Sequence, residues 1–142
     1  MASPYDLFKT DPGIETEGLT LDYGDFQIRI ARAGGANRGF VRALEARLKP
    51  YRRQLQAETL DEQVAERILR EVYADHVILG WKGVADGDGK PMAFSRENVL
   101  KLLADLPELF RDLQEQAGRI ALFRAQELED AKGNSRARSA GS

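Results

Sequence analysis

Residues 80–98 read GWKGVADGDGKPMAFSREN. They hold the chain's single Trp, two aspartates spaced two apart among glycines, and a serine placed to open a helix. Helical periodicity runs up to this stretch and resumes after it, so its reading decides how the chain is divided. An ion loop is the first candidate. Aligning Gly89 with the invariant glycine of an EF-hand loop puts Asp88 and Asp86 on ligand positions. It also puts Val84 on the first position and Ser95 on the last, where carboxylates are required. Starting the loop at Asp86 instead places Pro91 where the glycine must stand. The residue types suit a turn better: Asp and Gly tolerate left-handed backbone, and Pro91 stiffens the exit. Trp81, Val84, Met92 and Phe94 are then the clamps that hold the two ends of the loop to the core.

Working outward, the C-terminal side reads as two helices. Ser95 can cap a helix carrying Val99, Leu100, Leu102 and Leu103, expected over about 96–105. Leu106-Pro107 interrupts it, and Pro107 suits the first position of a helix expected over 107–130. Leu109, Phe110, Leu113, Ala117, Ile120 and Ala121 share one face of that helix. Continued at about 100° per residue, the same helix throws Leu122 to the opposite side and Phe123 to the boundary. The segment 132–142, KGNSRARSAGS, is small, polar and basic, and reads as a disordered tail.

On the N-terminal side, Thr59-Leu60-Asp61-Glu62 has the form of a capping box for a helix over 60–79, with Val64, Ile68 and Val72 as its buried stripe. Before it, Phe40, Leu44, Leu48, Tyr51 and Leu55 keep one helical stripe through Pro50, giving a kinked or two-piece helix over 38–56. Gly34-Gly35 lacks the wider pattern of a phosphate loop and reads as a connector with Asn37 as N-cap. From Gly18 the period is two: Leu19, Leu21 and Tyr23, then Phe26, Ile28 and Ile30 after Gly24-Asp25, form a β-hairpin over 18–31. Residues 1–17 read as an arm with a few apolar anchors. The expected fold is mainly α, one domain over 18–131, with about four helices and an N-terminal β-hairpin.

The chain has 142 residues, 42% hydrophobic and 31% charged, with a formal net charge of −2. That suits one soluble domain with its own core. No apolar run reaches membrane-spanning length, and the first residues lack the basic and apolar regions of a signal peptide. With no cysteine there are no disulfides, thiolate metal sites or cysteine nucleophiles. The lone histidine, His76, reads as structural, and Ser-His-Asp chemistry has no nucleophile-elbow motif to place it. No enzyme, metal or cofactor is expected. Charge is uneven: eight basic residues lie between Arg29 and Arg53 against Glu45 alone, and six acids follow from Glu58 to Asp75. One reading of the basic segment is a nucleic-acid patch; the other is mutual attraction between neighbouring helices with solvated flanks.

The residues of the opening stretch carry a resemblance. Gly80, Trp81, Gly83, Val84, Asp86, Gly89, Phe94, Ser95, Glu97, Asn98, Leu106 and Pro107 form a pattern similar to that of the tail assembly chaperones of long, flexible-tailed phages. ETEGLTLDYGDFQIRIARAGGANRGF, KPYRR and ALFRAQELEDAKGN extend the resemblance over nearly the whole chain. It makes Trp81, Asp86, Gly89, Phe94, Ser95, Asn98 and Pro107 a structural signature. It implies a helical protein of the host cytoplasm, absent from the mature virion, that binds the tape measure protein and helps recruit tail tube protein. Exposure geometry adds two expected contact surfaces, the hairpin face at Phe26 and Ile28 and the helix end at Leu122 and Phe123. Self-association through a hairpin edge is a further expectation, and nucleic acid is the disfavoured alternative.

Overall fold

A computed structural model describes residues 2–124. The hairpin forms as its alternation demands. Strands β1 (Leu19–Asp22) and β2 (Gln27–Ile30) pair antiparallel with Leu19 opposite Ile30 and Leu21 opposite Ile28. Ile28 and Ile30 are buried, Leu19 and Leu21 half-buried beside them, and Thr20 and Arg29 lie on the opposite, exposed face. The turn closes with the Tyr23 amide donating to the Phe26 carbonyl at 2.9 Å, and the two rings stack at 5.0 Å.

A third strand completes the sheet. Helix α5 spans Glu62–His76, and β3 (Ile78–Lys82) follows at once, giving the order β1-β2-β3, antiparallel throughout. The helix expected to reach Leu79 therefore stops three residues short. Gly80 is a poor helix residue, Val77, Ile78 and Trp81 favour strand, and β2 has an edge to be paired. Ile28 faces Trp81 and Arg29 faces Gly80, but Ile30 faces Ile78, so Leu79 is an extra residue in β3. This bulge explains why the apolar pattern of 77–82 shows no clean period.

The other helices are α1 (Pro4–Phe8), α2 (Pro12–Glu17), α3 (Arg38–Leu48), α4 (Arg52–Gln56), α6 (Arg96–Asp105) and α7 (Pro107–Ala117). The expected mainly α class with an N-terminal hairpin is the observed one. Pro50 sits in a 3₁₀ turn, Lys49–Tyr51, between α3 and α4, where a missing N–H is tolerated. Ser95 caps α6 as expected, accepting the Asn98 amide at 3.1 Å, and Pro107 opens α7.

Four local expectations are corrected. Asp61, not Thr59, caps α5, accepting the Gln63 amide at 2.7 Å. Thr59 is committed elsewhere: its amide closes the end of α4 on the Gln54 carbonyl at 2.8 Å, with Glu58 in left-handed backbone at φ 57°. Asn37 makes no capping bond; its side-chain amide donates to the carbonyls of Arg32 (2.8 Å) and His76 (2.9 Å). Helix α7 ends at Ala117, before Gly118, and a 3₁₀ turn over Ile120–Phe123 follows. The rest of the helix expected over 107–130, and the tail over 132–142, lie outside the described residues. Finally, the arm over 1–17 is mostly helical, in α1 and α2, and its buried anchor is Glu15, while Tyr5, Leu7 and Phe8, expected as apolar anchors, are exposed.

The core lies between the sheet and α3, α5, α6 and α7. Ile28, Ile30, Ile68, Val72, Val77, Val99, Leu103 and Leu113 are buried there. An aromatic chain runs through it, Phe40 edge-on to Tyr73 at 5.5 Å and Tyr73 edge-on to Phe110 at 5.3 Å. Burial pushes the Tyr73 hydroxyl up to about 12. Full burial of such side chains contributes about 1.5–3 kcal/mol each, which is the main term holding the helices to the sheet.

Candidate functional site

The stretch over 80–98 folds as a built joint between β3 and α6. Its mouth is closed by the Met92 amide donating to the Val84 carbonyl (2.9 Å) and the Asp86 amide to the Lys90 carbonyl (2.8 Å). The Asp86 carboxylate accepts the amides of Asp88 and Lys90, both at 2.9 Å. Asp86 is thus used in organising the turn, and Gly89 supplies its left-handed residue at φ 81°. On the core side, the Trp81 indole N–H donates to the Met92 carbonyl at 2.8 Å and meets the Phe94 ring edge-on at 5.3 Å. Asn98 donates back to the Ala93 carbonyl at 2.8 Å, fixing the approach to α6. All seven signature residues therefore sit on this joint or on the helices it leads into.

The four residues expected to face a partner fare differently. Ile28 is 1% exposed and Phe123 0%, so neither is a surface residue. Phe26 is half-buried on Tyr23, and Leu122 is half-buried. Two physical reasons account for this. The apolar face of the hairpin packs against the helices. Beyond Gly118 the helical angle no longer applies, so the 3₁₀ turn swings Phe123 inward under the N-terminal segment. There the Asp11 amide donates to the Phe123 carbonyl at 2.8 Å, Thr10 bridges to Arg124, and the Arg124 guanidinium donates to the Leu7 carbonyl at 3.2 Å.

A second clamp fastens the same N-terminal segment. Glu15, 2% exposed, pairs with Arg32 and accepts the Ala36 amide at 3.2 Å. Its carboxylate occupies the space that a Cβ on Gly35 would need, and Gly35 is left-handed at φ 53°. That is the use of Gly35: it lets the backbone close over a buried carboxylate. Sequence reasoning missed Glu15, because an isolated glutamate in a polar run carries no sign of burial.

The two most exposed large apolar side chains among the described residues are on α1 instead. Tyr5 is 77% exposed, Phe8 65% and Leu7 45%. The helix is short but held by a capping box, Ser3 and Asp6 exchanging backbone-to-side-chain bonds at 3.3 and 3.0 Å.

The basic segment is mostly unneutralised. Arg47 pairs with Glu71 across α3 and α5, and Arg32 with Glu15. Arg38, Arg42, Lys49, Arg52 and Arg53 make no ion pair with any described residue. Attraction between neighbouring helices therefore uses one basic residue of α3, and the others present their charge to solvent. Among the described residues, no group of three or more His, Asp or Glu side chains could hold a metal ion. No helix there is long and apolar enough to cross a membrane. His76 lies against the first turn of α3, with its Nδ1 3.2 Å from where a Cβ on Gly39 would be.

A family model described as YdaY prophage protein matches residues 35–134. The matched stretch runs from the Gly35 connector through α3, α5, the Trp81 joint, α6 and α7, and leaves the hairpin outside. No curated protein and no solved structure matches the chain.

Proposed function

The chain belongs to the YdaY prophage protein family; within that phage setting we propose, as our own reading of its sequence and surface, that it is a tail assembly chaperone that binds the tape measure protein. In this reading it works in the host cytoplasm during tail morphogenesis, helps recruit tail tube subunits, and is left out of the mature particle. A protein that keeps long apolar helices soluble needs apolar surface of its own to offer, and that surface must be fastened to a folded body. The observation that carries the proposal is α1: Tyr5, Leu7 and Phe8 are exposed on a capped helix whose chain is clamped by Glu15–Arg32 and by Asp11–Phe123. The Trp81 joint supports it from a second side, because its residues carry the likeness to tail assembly chaperones and fold together as one unit.

Co-expression tests the reading. Tape measure protein should move from the insoluble to the soluble fraction and co-purify with this chain. If it stays insoluble and unbound, the proposal fails. Mass spectrometry of purified particles separates a chaperone from a minor structural tail protein, which would be retained.

The unpaired cations of α3 and α4 favour a second reading, a nucleic-acid-binding phage module using Arg38, Arg42 and Arg52 on phosphates. Binding would then fall steeply with salt. A mobility-shift experiment at low salt that shows no complex removes it.

A further inference from the structure

We infer that the groove along α3 and α4 is a docking site for an acidic amphipathic helix of a partner protein. This deepens the chaperone reading and rests on it only for the partner's identity. The groove, of about 610 Å³, is lined by Arg42, Glu45, Leu48, Lys49, Arg52 and Leu55, among others. Half-buried Leu48 and exposed Leu55 both line it, one on each side of the 3₁₀ turn at Pro50, and form one short apolar line. Leu55 is 42% exposed at the end of that line. Arg42, Lys49 and Arg52 flank it, and none is neutralised by a carboxylate of the described chain.

An apolar line bordered by free cations matches a helix with an apolar stripe bordered by Asp and Glu. The leucines supply contact area, and the cations set orientation and speed encounter. A nucleic-acid backbone fits less well, since it has no use for the leucine line and would be repelled by Glu45. The acidic whole-chain balance, −2, disfavours it further. None of these cations takes part in the α3–α5 ion pair, which is made by Arg47 and Glu71.

The test uses the full chain and a fluorescent peptide of about four helical turns, with Leu on one stripe and Glu on its flanks. A scrambled peptide of the same composition and a single-stranded oligonucleotide are the competing probes. The striped peptide should bind saturably, and its Kd should rise at least about tenfold in the Arg42→Glu/Arg52→Glu double variant. Leu55→Ser should weaken it as well. All three positions are exposed and without described partners, so both variants should melt as wild type does. No binding of the striped peptide, or binding unchanged in both variants, overturns the inference. So does equal binding of the scrambled peptide or the oligonucleotide with Leu55→Ser silent, which marks a plain polyanion surface. A dimer of the chain alone that the double variant dissolves overturns it too, because a second copy would then be the occupant. Co-expression keeps the two proposals apart. If the double variant loses the peptide yet still solubilises the tape measure protein, the groove stands with another acidic partner and the chaperone reading stands on α1. If wild type does not, the chaperone reading fails and the peptide experiment alone judges the groove.

Discussion

The Trp81 indole N–H donates to the Met92 carbonyl at 2.8 Å, joining the end of β3 to the far side of the loop that follows it. This bond, with the edge-on contact to Phe94 at 5.3 Å, makes the loop a fixed connection between sheet and α6. Trp81→Phe keeps a ring there and should cost about 1 kcal/mol for the lost bond. Trp81→Ala removes ring and bond and should cost about 2–4 kcal/mol, somewhat less than a fully buried Trp because Trp81 is half-buried. Asp86→Ala loosens only the exposed turn and should stay within about 1 kcal/mol. Urea unfolding followed by the far-UV signal ranks the three, since the two Trp81 variants carry no Trp.

The Glu15 clamp predicts a sharper result. Gly35→Ala puts a Cβ on the Glu15 carboxylate and a side chain in left-handed backbone, whose conformational cost alone is about 1–2 kcal/mol. Glu15→Gln leaves Arg32, which is mostly buried, without its counter-charge, and should cost about 2–4 kcal/mol. Both should also speed amide exchange in residues 10–17 more than in α5 or α7. Uniform exchange across the chain would mean that the N-terminal segment is not held by this pair.

A stabilising change is expected at the end of α4. Glu58 sits at φ 57°, a conformation that glycine adopts freely. Glu58→Gly should therefore raise stability by up to about 1 kcal/mol, the relief of backbone strain outweighing the added freedom of the unfolded chain. A lower urea midpoint at unchanged m-value would contradict this.

High pH should weaken the fold through two tyrosines. The Tyr23 hydroxyl donates to Asp112 at 2.6 Å, tying the hairpin turn to α7. Desolvation first, and then the bond and charge of Asp112, push its ionisation well above the ordinary value of 10. Tyr73 is pushed up to about 12 by burial. A folded value above the unfolded one means the native state holds the proton more tightly. The stabilisation is therefore complete below about pH 10 and is lost as pH rises through the folded values. Tyr23→Phe should cost about 1 kcal/mol at neutral pH and should flatten the alkaline fall in melting temperature. An unchanged alkaline slope in that variant would assign the fall to Tyr73 or elsewhere.

Sequence periodicity carried most of the helical layer. The stripes Ile68–Val72, Val99–Leu103 and Phe110–Leu113 are the helix faces now buried in the core, and Ser95 and Pro107 mark real helix starts. β3 was hidden because a short apolar run after a helix reads as more helix, and its bulge at Leu79 breaks the period of two. Thr59 and Asp61 both have cap chemistry; which of them caps depends on how α4 ends. Among the site residues, the joint was legible from its turn chemistry. Phe123 was misplaced because its direction was extrapolated through Gly118, and Ile28 because alternation marks an apolar face but not what covers it. Glu15 and the exposed α1 gave no local sign, since burial of a charge and exposure of Tyr5 and Phe8 follow from tertiary packing alone.

The central claim is that this prophage protein keeps a tape measure protein soluble through apolar surface held on its N-terminal helix. It is tested most directly by purifying the tape measure protein in denaturant, diluting it into buffer with this chain, and following light scattering. The account predicts that wild type suppresses scattering in proportion to its concentration and is recovered in a soluble complex. It also predicts that Tyr5→Ser/Phe8→Ser, at exposed positions where the fold should be unaffected, loses most of that effect. Scattering that is the same with and without the wild-type chain would contradict it.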